Sequence, residues 1–475
     1  MKIWNLLHYS PRLALLPLAL TCFCGHLEAE ACFPVATNPA VVQVGFGMAC
    51  DGTNYLAGLM SGGNVCGQLV APTGASIGPL VTVGTSPGLV LPAAAVTFGR
   101  TNYLIVWSDA SVSSGVDMFG QFISQGGAKV GSAFPLLASQ GTHWFQVLST
   151  VAFDGNNFLV VWQDTGNNYL YGQLVTQGGV LAGGEFVISS QVNLDASGPT
   201  VYAAAAFGKT NYLVAWVVDD PADQGASIYG APVATTGSAG SPFQINQLTA
   251  NGSTPALAFD GTNFLAAWTW GTNPQANWSL RGRLVSPAAT FAGGEVALVT
   301  NETAMLNSVG FDGANYLMAW TCRPFQTNSD VRFCFLDRSA AMLGPEFSLF
   351  AAQGTNVPLF ALGHLAFNGT SCVIAATLGV LGVDKNPQQS GEVFGASIAS
   401  SAARPRVAPA GPHAGAQFPL LLTGTPGINY AIQMATNLAA PNWMPLATNS
   451  PTNGTFRYTD LGATNKSRYY RAVKQ

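Results

Sequence analysis

Three tryptophans, Trp144, Trp270 and Trp278, stand in Gly-, Thr- and Asn-rich stretches, and Asp109, Asp164, Asp219, Asp220, Asp330, His143 and Arg323 occupy stretches of the same kind. An indole face stacks on a pyranose ring while carboxylates and neighbouring donors take its hydroxyls, so this set suits sugar recognition. The same residue types also serve as ordinary loop side chains packed on a rim. A hydrolytic reading draws on Asp109, Asp164, Asp219 and Asp220, because cleavage of a glycosidic bond needs two carboxylates at a defined separation. Spacing along the chain does not set that separation. No H-E-x-x-H and no P-loop occurs, and the five His are scattered. The expectation is therefore a binding surface with no catalytic residue assigned, no cofactor and no metal.

What must position these residues is a repeat. Seven related words run through the chain: "MACDGTNYLAGL" from 48, "VTFGRTNYLIVW" from 96, "VAFDGNNFLVVW" from 151, "AAFGKTNYLVAW" from 205, "LAFDGTNFLAAW" from 257, "VGFDGANYLMAW" from 309 and "LAFNGTSCVIAA" from 365. Their turn-opening residues, Asp51, Gly99, Asp154, Gly208, Asp260, Asp312 and Asn368, recur every 48 to 56 positions. Each copy adds a third segment ("CGQLV" at 66, "FGQFI" at 119, "YGQLV" at 171, "YGAPV" at 229, "RGRLV" at 281, "FCFLD" at 333, "FGASI" at 394) and a fourth such as "FVIS" or "FQIN". Four short strands at this period, the first Ala-rich and the second bulky on both faces, suit sheets stacked around an axis. The reading is an all-β, seven-bladed propeller over residues 32–400.

The ring needs a closing device, since the seventh copy lacks a fourth strand. "CFPVATNPAVVQVGF", ahead of the first copy, aligns with a fourth strand, so Phe33 to Thr37 are expected to complete the last sheet. In "DGNN" and "DGTN", Asp and Asn cap a tight turn and Gly supplies positive φ. A calcium site needs several oxygen ligands at alternating positions, which one Asp per turn does not offer. The repeated Trp107, Trp162, Trp216, Trp268 and Trp320 are expected in the core, and the recurrent Glu185, Glu295 and Glu346 at a strand entrance. Ligand chemistry is then left to the connections that differ between copies, which share one end of the strands.

Composition limits the partners. Only 8% of residues are charged and the formal net charge is −4, against about 25% charged in average soluble chains. Phosphate-held nucleic acid and an anionic membrane surface are disfavoured. Residues 1–31 read as a secretory leader, with Lys2 and Arg12, an apolar stretch from Leu13 to Phe23, and Ala29 and Ala31 at a small-x-small site. That stretch is short of the roughly 20 apolar residues of a membrane span, and the mature chain is expected to have none. Export to the bacterial periplasm, cell surface or medium permits disulfides. Cys322 and Cys334 bracket the loop "RPFQTNSDVRF" and form the best candidate pair, two free buried thiols being the alternative.

Residues 401–416 read as a Pro/Ala-rich linker, and 417–475 as a small antiparallel sandwich with alternation in "INYAIQMA", "FRYTD" and "RYYRAVK". This last segment resembles the C-terminal β-sandwich of many secreted bacterial repeat proteins, through Tyr430, Ile432, Gln433, Asn437, Trp443, Arg468, Tyr469, Tyr470 and Arg471. The resemblance implies an accessory for sorting or surface attachment, without catalysis. The seven copies resemble exported bacterial propeller-like repeats of unassigned activity; sialidase propellers, by contrast, carry S-x-D-x-G-x-T-W turns that this word does not match. The sequence thus points to a monomeric exported protein that binds polysaccharide or another envelope component. A glycan-active hydrolase or lyase, and a purely structural envelope protein, are the alternatives.

Overall fold

The computed structural model describes residues 29–36, 41, 43–85, 94–109, 117–137, 146–164, 166–190, 203–220, 225–247, 251–271, 278–300, 303–323, 330–343, 346–351, 364–379, 391–399, 406–410, 417–423, 429–437, 442–450, 455–463 and 468–474. Every regular element among them is a β-strand, and no helix there is long and apolar enough to cross a membrane. Strand β1 spans Ala29–Ala36. It is followed by an antiparallel meander of β2 (Gln43–Cys50), β3 (Tyr55–Ser61), β4 (Asn64–Val70) and β5 (Ser76–Thr85).

The same meander recurs at 94–135, 146–189, 203–244, 251–299 and 304–351, with the outer strand of the fourth sheet split into Ser238–Ala239 and Phe243–Gln244. A final sheet takes His364–Phe367, Ser371–Gly379 and Gly391–Ala399 from the end of the array and β1 from its start. The first strands of successive sheets touch in order, and that of the last sheet touches β2. These sheets therefore close on themselves around their first strands, a propeller-like arrangement.

Packing explains the bulky second strands. Along Asn157–Asp164, Phe158, Val160 and Trp162 face the preceding sheet, whereas Leu159 and Val161 face the following one. Neither face meets water, so the strand is apolar at every position. Trp162, Trp216, Trp268 and Trp320 are fully buried, as the repeated word requires.

Closure follows from one side-chain fit. Phe33 pairs with Gly395, and a Cβ added there would lie 2.3 Å from the Phe33 ring. Phe134 covers Gly120 and Phe186 covers Gly172 in the same manner. Phe33 thus occupies the outer-strand position of the last sheet. The strand begins at Ala29, inside the stretch read as leader.

Three details depart from the sequence reading. In the sixth sheet Trp320 pairs with Arg332, as Trp162 pairs with Tyr171, so the matching third-strand segment is "RFCFL" from 332. Phe333 takes the glycine position there and packs on Phe347 at 5.1 Å between ring centroids. Second, Cys322 and Cys334 are free thiols. The register places Cys322 opposite Asp330 and Cys334 opposite Met318. Four residues along a strand is roughly 13 Å, beyond the ~7 Å Cα separation a disulfide can bridge. Burial pushes the Cys334 thiol up to about 12. Third, Arg406–Pro409, within the expected linker, forms a strand against Phe418–Thr423.

The C-terminal segment holds two three-stranded sheets. Leu420 and Leu422 from one and Tyr430 and Ile432 from the other form their shared core. Asp460 is buried beside them, which alone would raise its pKa. Bonds from Arg468, the Gly462 N–H and the Tyr470 hydroxyl (2.9 Å) outweigh this and hold the carboxyl below its ordinary range.

Candidate functional site

The two ends of the strands are built differently. At one end lie the repeated turns. Asp154 Oδ1 accepts hydrogen bonds from the N–H groups of Asn156 (2.7 Å) and Asn157 (2.6 Å). Asp51, Asp260, Asp312 and Asn368 do the same two and three residues on. The following Gly155 has φ 94°, a conformation that needs glycine. One oxygen of each carboxylate is thereby consumed by its own turn. Among the described residues no three His, Cys, Asp or Glu side chains gather to hold a metal ion.

The other end carries the divergent connections. His143 and Trp144 lie outside the described residues, and the side chains of Asp219 and Asp220 likewise. Asp109 ends its strand directly opposite Asp117, which is buried. Asp164, also buried, accepts a bond from the Gly166 N–H at 2.8 Å and so caps its hairpin.

Trp278 and Arg323 meet at the joint between the fifth and sixth sheets, whereas Trp270 packs on the other face of the fifth sheet, toward the fourth. Trp270 is half-buried, with the Arg281 guanidinium 4.3 Å from its ring centre, and Arg281 pairs with Glu295 at 3.1 Å. Trp278 lies over Gly271, where a Cβ would approach its ring to 2.5 Å. Its carbonyl accepts the Ala304 N–H at 2.9 Å, and the adjacent Thr303 carbonyl accepts the Arg323 N–H at 2.7 Å. Arg323 has φ 51°, an uncommon conformation for a non-glycine residue. Its guanidinium reaches Asp330 at 3.2 Å. Asp330 also receives Arg332 at 2.7 Å, and Arg332 contacts Glu346. Asp109 and Asp164 belong to the second and third sheets and take no part in this cluster.

Sequence reading passed over two signals. Arg281 and Arg332 hold the register position that is Phe119, Tyr171 or Tyr229 in earlier sheets. Their partners are two of the recurrent glutamates, which are therefore ion-pair residues. The position after each repeated Trp, or after Ala376 in the last copy, is the other. Thr269 Oγ1 accepts the Leu306 N–H and Thr377 Oγ1 the Gly45 N–H (2.8 and 2.9 Å), each tying one sheet to the next at a strand irregularity. Gly-x-Ser-x-Gly spacing does occur, at Gly74–Gly78 and Gly84–Gly88. Ser76 lies in β5 and not in the strand-to-helix turn a nucleophile elbow needs. Ser86 is outside the described residues.

No protein-family model matches the chain, and no curated protein does. Solved structures do resemble it. The β-propeller domain of the Trilobed protease from Pyrococcus furiosus is 8% identical, with a TM-score of 0.42, over 75% of this chain and 93% of that one. The phage phi92 endosialidase is 8% identical with a TM-score of 0.45, over 78% and 69%. The Parainfluenza Virus 5 hemagglutinin-neuraminidase is 9% identical with a TM-score of 0.37, over 77% and 91%.

Proposed function

We propose that this chain is an exported seven-bladed β-propeller followed by a β-sandwich, and that it binds polysaccharide or another hydroxyl-rich envelope polymer through its divergent end. One observation carries this reading: Trp278, Arg323, Asp330 and Arg332 converge on one inter-sheet joint, linked through the backbone of Thr303 and Ala304. An indole beside a guanidinium and a carboxylate offers both a stacking face and hydroxyl partners. Binding of the purified full chain to a polysaccharide array tests it. Trp278→Ala and Arg323→Ala each weaken binding at least tenfold. Unchanged binding in the two variants would overturn the site.

Asp109 facing Asp117 supports a second reading, a glycan hydrolase or lyase. Residues directly opposite in an antiparallel pair have Cβ atoms about 5 Å apart, within reach of the ~5–5.5 Å carboxyl spacing of retaining glycosidases. Product release from glycan mixtures that vanishes in Asp109→Asn and Asp117→Asn would favour it. Silence in both assays leaves a structural envelope protein.

A further inference from the structure

The joints between neighbouring sheets follow a rule that pairs each turn with a ring from the next sheet. Where the turn opens with Asp or Asn, the next sheet supplies Tyr. Tyr103 donates to the Asn54 carbonyl (2.9 Å), Tyr212 to that of Asn157 (3.0 Å), Tyr316 to that of Asn263 (3.1 Å), and Tyr55 to that of Ser371 (2.9 Å). The corresponding turns open with Asp51, Asp154, Asp260 and Asn368.

Where the turn opens with Gly, the next sheet supplies Phe. A Cβ at Gly99 would lie 2.7 Å from the Phe158 ring, and one at Gly208 2.3 Å from the Phe264 ring. Neither glycine has positive φ, so the ring and not the backbone demands it. At these joints a cation replaces the hydroxyl: Lys209 donates to the Gly261 carbonyl at 2.7 Å, and the Arg100 guanidinium lies alongside Gly155.

One joint breaks the rule. The sixth turn opens with Asp312, but the next sheet offers Cys372 where every other copy has Tyr or Phe. A cavity of about 30 Å³ remains there, lined by Phe311, Asp312, Leu365, Phe367 and Cys372 among others. A void forfeits the dispersion contacts that a ring would make. We propose that the joint between the sixth sheet and the last is the opening seam of the ring, the place where the closed array parts first while β1 stays zipped to Gly391–Ala399.

Thiol labelling of the full chain tests this without a variant, each cysteine being assigned by peptide mass. Cys334 lies within the joint of the fifth and sixth sheets, which Tyr316 latches. In mild urea Cys372 should label at least about tenfold faster than Cys334, as expected for sub-global opening. Equal or slower labelling of Cys372 would overturn the seam. Substitution gives an independent reading. Cys372→Tyr should raise the unfolding midpoint above that of Cys372→Phe while Asp312 is present, and the order should reverse in an Asp312→Gly background. An order that does not depend on residue 312 sinks the pairing rule and the seam with it.

Discussion

The turn end and the loop end of this ring are made by the same strands, yet they use their polar residues in opposite ways. At the turn end, Asp154 caps two N–H groups of its own turn while Tyr212 of the next sheet bonds the turn's last carbonyl. Polar atoms there are spent on assembly, so the word is copied almost unchanged. At the loop end, Arg323 and Arg332 both pair with Asp330 at a single joint, and the position of Arg332 is filled by Phe119, Tyr171 and Tyr229 in the second to fourth sheets. Copying therefore marks what the ring needs to stand, and divergence marks positions that assembly leaves free to vary.

Breaking the turn-end framework should cost most. Trp268→Ala removes a fully buried indole between two sheets and should destabilise by about 3–5 kcal/mol, read from urea denaturation. Gly208→Ala places a methyl against the Phe264 ring, and about 1–3 kcal/mol is expected from overpacking. In a Phe264→Ala background the same Gly208→Ala change should cost less than it does beside the intact ring, a coupling read from a double-mutant cycle. Asp154→Ala removes a turn acceptor and should cost about 1 kcal/mol. At the loop end the effect should nearly vanish: Arg323→Gly relieves a positive φ while removing one exposed guanidinium from Asp330, which keeps its bond from Arg332. Stability should move by less than about 1 kcal/mol, even as polysaccharide binding falls. A large stability loss from Arg323→Gly would erase the distinction between the two ends.

Much of the ring was legible because its signal is local or periodic. The bulky second strand, the Asp-Gly turn and the fourth-strand character of "CFPVAT" each follow from a few adjacent residues. The shift to Arg332 was hidden because Phe333 replaces the glycine that anchors the alignment elsewhere. The Cys322–Cys334 pairing failed because a bracketed loop says nothing about register; Asp330, not Cys334, stands opposite Cys322. The pairing of Asp51 with Tyr103, or Gly99 with Phe158, was present in the letters. It joins residues about one repeat apart and becomes visible only once neighbouring sheets are set side by side. The cluster around Trp278 and Arg323 depends on the backbone bonds of Thr303 and Ala304, which no spacing in the sequence encodes.

The placement of β1 beside Gly391–Ala399 has a kinetic consequence. This strand is made some 350 residues before the one it pairs with and must wait for it, and such distant pairing is slow and leaves edges open to strangers. Its short apolar run would then be the segment most in need of a chaperone's shelter, and the array would behave as a chain of half-finished sheets until its last-made hairpin arrived to receive it.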